Sequence, residues 1–176
     1  MTQDRISNRG WLNGWRIAGW GALLALLALP AIAMQFTAEV RWTGTDFVFA
    51  TILLCALGGG VELAVRMGKG AWHRAGLIAA ALAGFATVWI NAAVGIIGEG
   101  AINAAFPVMT LIALVASLAM RLRARPMMRV CMAMATGVLA VGLAAEYTSQ
   151  PDWGPVLFFV AVWSVPALLL HLASRE

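Results

Sequence analysis

The chain has 176 residues, 62% of them hydrophobic and 11% charged, with a net charge of +4 and an isoelectric point near 10. A soluble domain carries about 25% charged residues, so this much apolar surface has to be covered by lipid, and the length leaves no room for a separate soluble domain. The basic balance does not point to nucleic acid. The cations flank apolar spans rather than forming one patch, which is how membrane orientation is encoded, and some affinity for anionic lipid headgroups follows.

In chain order, the stretch from Arg5 to Arg16 mixes Ile6, Trp11, Leu12 and Trp15 with charges. That pattern fits a short interfacial helix, although Gly10 and Gly14 weaken it. The first apolar run covers residues 17–36 and contains Pro30. Its Arg-flanked start and Ala31-Ile32-Ala33 resemble a signal peptide with an A-x-A cleavage site. Retention is the preferred reading, because the run is long enough to span. Cleavage would leave five spans with the same loops on the same sides.

The second run covers residues 47–65, the third 75–97, the fourth 101–120, the fifth 130–145 and the sixth 155–173. Most of them approach the roughly 20 residues that cross a bilayer. The fifth is the shortest, so it is expected to borrow flanking residues or to sit in a thinned bilayer. Pro107 and Pro166 fall in spans four and six, where neighbouring helices can satisfy the carbonyls that a proline frees.

Charge placement sets the orientation. Of the 12 lysines and arginines, only Arg41 lies in the first, third or fifth connection. The others occupy the two termini and the second and fourth connections, a positive-inside pattern with both ends in the cytoplasm. The acids Glu39, Asp46, Glu99, Glu146 and Asp152 fall on the outer side. Tryptophans agree: Trp11, Trp15, Trp20 and Trp72 mark the inner interface, and Trp42 and Trp153 the outer one. Trp89 and Trp163 lie within spans as packing residues. Cys55 lies inside the second span and Cys131 opens the fifth at different depth, so no disulfide is expected, and there is no CxxC.

Two stretches carry a resemblance. One is Met34-Gln35-Phe36-Thr37, then Glu39-Val40, Trp42 and Asp46-Phe47. The other runs from Val88-Trp89-Ile90-Asn91 through Ala92-Ala93-Val94-Gly95 to Ile96-Ile97-Gly98-Glu99. Together they resemble a family of small, uncharacterised multi-spanning inner-membrane proteins of proteobacteria. The resemblance covers the middle third of the chain well and the rest mainly by hydropathy. It implies fold and location, and no activity. The family's third connection tends to be rich in acidic, Asn and Pro residues, whereas here it reads Glu99-Gly100-Ala101-Ile102-Asn103.

Three polar features are candidates for a site. Glu62 follows Gly58-Gly59-Gly60 near the inner end of span two. An ionisable group in a span suggests function, and glycines let a helix open around an ion. The simpler reading pairs Glu62 with Arg66, four residues on. Asn91, in the outer half of span three, either bonds to another helix or lines an outward cavity, with Thr87 one turn below and Glu99 two turns above. Glu39, Glu99 and Glu146 each follow an odd-numbered span. They form either a cation-attracting rim or solvated charges that reinforce topology.

His73 and His171 sit at the inner ends of spans three and six. Two axial haem ligands are conceivable, but such haems usually lie within a bundle, and interfacial polar residues are the preferred reading. No HExxH, Walker loop, GxSxG or CxxCH occurs. The pairs Ala79xxxAla83 and Ala80xxxGly84 fit close helix packing. Each odd span ends in an acid, a weak three-hairpin repeat that does not demand a transporter's inverted repeat.

The expectation is an all-α integral membrane bundle of six transmembrane helices, N-in and C-in, in a bacterial inner membrane. No cofactor, metal or nucleic acid is expected, and no enzyme activity. The partners expected are the bilayer and other membrane subunits or a second copy. The function read from this is a non-catalytic accessory or assembly component of a membrane complex. The alternative is a small transporter or channel for a proton, cation or small solute, with Glu62, Asn91 and Glu99 as its polar site.

Overall fold

The computed structural model describes residues 14–149 and 152–176. They form six helices: α1 Gly14–Ala33, α2 Gly44–Met67, α3 Ala71–Val94, α4 Ala105–Ala119, α5 Ala124–Ser149 and α6 Trp153–Ala173. A 3-10 turn, Ala101–Ala104, leads into α4. Counting that turn with α4, all six are long and apolar enough to cross a bilayer, and no strand occurs among the described residues. The chain is therefore an all-helical, multi-pass membrane protein. Most of the interfacial segment expected over Arg5–Arg16 lies outside the described residues.

Several boundaries depart from the hydropathy reading: α1 ends at Ala33 rather than at residue 36, α2 and α3 start three to four residues earlier than expected, and three departures have a local reason. The third helix stops at Val94 rather than continuing to residue 97, because Gly95 takes a positive φ of 71° with an extended ψ of 135°, a backbone conformation that glycine permits and that leaves the helix. The fourth span opens as a 3-10 turn, which places Pro107 in the first turn of α4, where no intrahelical N–H is lost. The fifth helix, expected over 130–145, is the longest at 26 residues. It borrows flanking residues at both ends, since Arg125, Arg129 and Glu146 continue a helix as readily as apolar residues do. α1 and α6 run through Pro30 and Pro166 without a break.

Two acids cap helices. Asp46 accepts from the Thr43 amide (2.7 Å) and hydroxyl (2.8 Å), while the Asp46 amide points back at Thr43 Oγ1, a capping box at the start of α2. Asp152 caps α6 by accepting from the Gly154 amide at 2.9 Å.

The chain divides into two compact units that meet within α2, one ending at Gly58 and the other spanning Gly59–Glu176. In the first, Trp20 and Leu23 of α1 lie so close over Gly58 that a Cβ there would come within 2.9 Å of each. In the second, α3, α4, α5 and α6 pack as antiparallel neighbours. The contact of α5 with α6 is the most extensive and that of α3 with α6 the next. Its core includes Leu77, Phe106, Val138, Val156, Phe159 and Leu170, all nearly or fully buried.

Small residues set how closely α3 approaches α6. Gly76, Ala80 and Ala83 are buried along one face of α3. A Cβ on Gly76 would lie 2.7 Å from Leu170 Cγ, and one on Gly84 would touch Thr110 and Trp163. Gly137 of α5 receives the Met109 sulfur in the same way, and Gly142 receives Val156. Without a hydrophobic drive between helices in lipid, such close approach is a main source of association.

Candidate functional site

In an apolar chain each polar side chain has to find a partner inside the protein or reach the interface. In the unit from Gly59 onward, most of the buried or half-buried polar side chains meet at three levels.

At the acidic end, the connection from α3 to α4 folds back into the protein. A Cβ at Gly95 would collide with the Gly98 carbonyl oxygen, so the turn requires glycine there for space as well as for φ. Ile96 and Ile97 then bury themselves at 1% and 3% exposure. Burial of their amides needs acceptors, and Asn103 supplies one. Its Oδ1 accepts from Ile96 N and Ile97 N, both at 3.1 Å, and its Nδ2 donates to Gly98 O at 2.6 Å and, more distantly, to Gly100 O. Two amide donors on one side and two carbonyls on the other fix which way this side chain points.

Asn91 completes the network. Its Nδ2 donates to the Asn103 carbonyl at 3.0 Å, and its Oδ1 lies 3.4 Å from Ile96 N. Asn91 thus bonds to the backbone of the turn before α4, not to a side chain across the bundle. Glu99 is not two helical turns above Asn91, because α3 has already ended. It sits exposed in the non-helical connection.

At mid-depth, the Thr87 hydroxyl donates to Ala83 O at 2.7 Å and accepts from Trp163 Nε1 at 3.0 Å. This bond ties α3 to α6, and both side chains are buried. Trp163, expected as a packing residue, packs and also donates.

At the basic end, His73 joins two connections. Its Nδ1 accepts from Lys69 N at 3.2 Å, and its Nε2 lies 2.8 Å from the Leu122 carbonyl. The first bond makes Nδ1 the acceptor, so Nε2 carries the proton and donates. With both nitrogens engaged and only 6% exposure, His73 is an architectural clamp. The turn it holds is strained: Arg121 and Leu122 both have left-handed φ, 53° and 51°, at a cost of about 1–2 kcal/mol for each L-residue. Leu122 is anchored at both ends, its carbonyl by His73 and its amide by Ser117 O.

Glu62 lies in the last third of α2, 17% exposed, with its carboxylate 3.2 Å from the Arg66 guanidinium, which is 56% exposed. This is the i,i+4 pair the spacing allowed, with Arg66 reaching toward the interface. The glycine triplet does not open the helix, since α2 is continuous through Gly58, Gly59 and Gly60. Gly60 packs near Ala81 of α3. Counting rise along the two helices from that contact, Glu62 and Asn91 lie roughly 18 Å apart in depth. The three candidate residues are therefore not gathered into one site: Asn91 joins Asn103, Glu62 joins Arg66, and Glu99 faces outward.

Of the other acids expected on the outer side, Glu146 accepts from Trp153 Nε1 at 3.2 Å across the α5–α6 turn. Both cysteines are free, Cys131 buried and Cys55 exposed. Among the described residues no buried side-chain nitrogen or oxygen lacks a hydrogen-bond partner, and no three His, Cys, Asp or Glu side chains cluster at metal-binding range.

Asn103 and the Thr87–Trp163 pair are what residue-by-residue reading of the sequence underrates. Asn103 offers one cue, an Asn three residues after a glycine at the mouth of an apolar run. Thr87 and Trp163 are 76 positions apart, and no local pattern links them. Comparison with protein-family models, curated proteins and solved structures finds no match to the chain. What its residues define is a class: a helical multi-pass membrane protein whose buried polar side chains hold its own connections and helices together.

Proposed function

We propose that this protein is a non-catalytic component of a bacterial inner membrane, an accessory or assembly subunit that works by packing its helices against those of a larger complex. One observation carries the reading. The interior polar groups are engaged in the protein's own architecture, while α4 presents an unbroken aliphatic face of Val108, Leu111, Ile112, Val115 and Leu118, each half or more exposed. Those positions recur every three to four residues, so they form one stripe along the helix. A stripe of branched aliphatic side chains offers a membrane partner shape without polar demands. The distribution of cations supports an orientation with both termini in the cytoplasm.

The test is native mass spectrometry of the full chain, purified in mild detergent from its own host. A stoichiometric protein partner is expected. Ile112→Trp and Val115→Trp should release it without lowering the melting temperature, since both side chains point away from the core. A bare chain would overturn the reading, and so would a Glu62→Gln variant that abolishes an ion or solute flux at unchanged expression. Either result shifts the function to transport.

A further inference from the structure

The basic end carries more positive charge than the fold engages. Arg66 has Glu62 as a partner, and the Arg74 Nε donates to Gly68 O at 3.1 Å. Lys69, Arg121, Arg123, Arg125 and Arg129 are all exposed, and none of them forms an ion pair among the described residues, although the Glu176 carboxylate lies beside Gly70 in the α2–α3 connection. Lys69 comes from the α2–α3 connection, Arg121 and Arg123 from the α4–α5 connection, and Arg125 and Arg129 from the first turns of α5, and the two connections are fastened together by His73 through Lys69 N and Leu122 O. The cations are thus held as one patch by a buried clamp.

Exposed apolar side chains border the same patch. Met67 (40%), Trp72 (44%) and Met120 (43%) sit within a few residues of Lys69, Arg74 and Arg121. A free anion has no use for that apolar border, and a nucleic acid would leave it in water. A phospholipid satisfies both halves, with its phosphate on the guanidinium groups and the upper part of its acyl chains against the methionines and tryptophan. The depth also fits, because the patch lies where apolar helices give way to polar connections, the level of the headgroups.

We propose that the α2–α3 and α4–α5 connections form a binding surface for an anionic phospholipid, with Lys69, Arg121 and Arg123 at the phosphate. The site is distinct from the α4 face and does not depend on the function assigned above. It selects lipid by headgroup charge and retains it through detergent.

The full chain in a neutral detergent is titrated with dioleoyl phosphatidylglycerol or dioleoyl phosphatidylcholine, and retained lipid is read by native mass spectrometry. The phosphatidylglycerol is expected to bind at least tenfold more tightly. Arg121→Gln and Arg123→Gln should each weaken it about fivefold, and the pair more than either alone. Arg41→Gln removes the same charge from another connection and should change nothing. All three side chains are exposed, so folding is not at risk. Equal retention of the two lipids overturns the proposal. So does an Arg41→Gln effect as large as that of Arg123→Gln, which would mean diffuse charge, and so does displacement of the lipid by millimolar inorganic phosphate, which would mean an anion site without lipid selectivity.

Discussion

At the residue scale, Asn103 has an influence out of proportion to its size. One amide satisfies two buried N–H groups and helps satisfy two carbonyls. Asn103→Leu leaves Ile96 N without a good acceptor and Ile97 N with none, each orphan costing about 1–3 kcal/mol. The expected result is a melting temperature in detergent several degrees lower. Asn103→Asp keeps the acceptor and loses the donor, so it should fall between the two. An Asp variant as stable as the parent would show that the bonds to Gly98 O and Gly100 O do not matter. Thr87 and Trp163 make a cleaner pair. Thr87→Val and Trp163→Phe should show a coupling of about 1 kcal/mol in a double-mutant cycle, whereas purely additive effects would reduce the bond to a geometric coincidence.

At the element scale, the α3–α6 contact depends on the absence of a side chain at position 76. Gly76→Ala would place a Cβ 2.7 Å from Leu170 Cγ, and overpacking of this kind costs about 1–3 kcal/mol. Adding Leu170→Ala should recover part of the loss, read as the melting temperature of the double variant against each single one. The same face shows how much was legible beforehand. Helix number, approximate centres and the small-residue packing of α3 follow from composition and spacing, because lipid imposes length and the absence of a hydrophobic drive imposes small contacts. Helix ends do not follow. The end of α3 depends on the single positive φ of Gly95, which an apolar count through Ile96 and Ile97 does not register. The length of α5 was hidden by arginines that end an apolar run without ending a helix. Among the polar candidates, the Glu62–Arg66 pair could be read from its spacing. The partner of Asn91 could not, since it is a backbone carbonyl beyond a turn that the hydropathy pattern conceals. The role of His73 was hidden for the same reason, as both its partners are backbone atoms, one of them in another connection.

At the scale of the whole molecule, the cations and the helix-capping acids fall in alternate connections. Asp46 and Asp152 start α2 and α6, Glu146 holds Trp153, and the opposite connections are basic. The proposed orientation, with both ends in the cytoplasm, predicts that a periplasm-dependent reporter is active when inserted after Gly98 and silent when fused after Glu176, and the reverse pattern would invert it. The folded-back connection between α3 and α4 also bears on how the protein opens. Ile96 and Ile97 belong to no helix, yet their amides are bonded to one buried side chain in the turn that begins the next span. In hydrogen–deuterium exchange they should therefore be protected like interior helical amides, while Glu99 beside them exchanges at once. Exchange at Ile96, Asn103 and the adjoining ends of α3 and α4 should rise together under mild denaturant, because these two spans and their connection form a single opening unit.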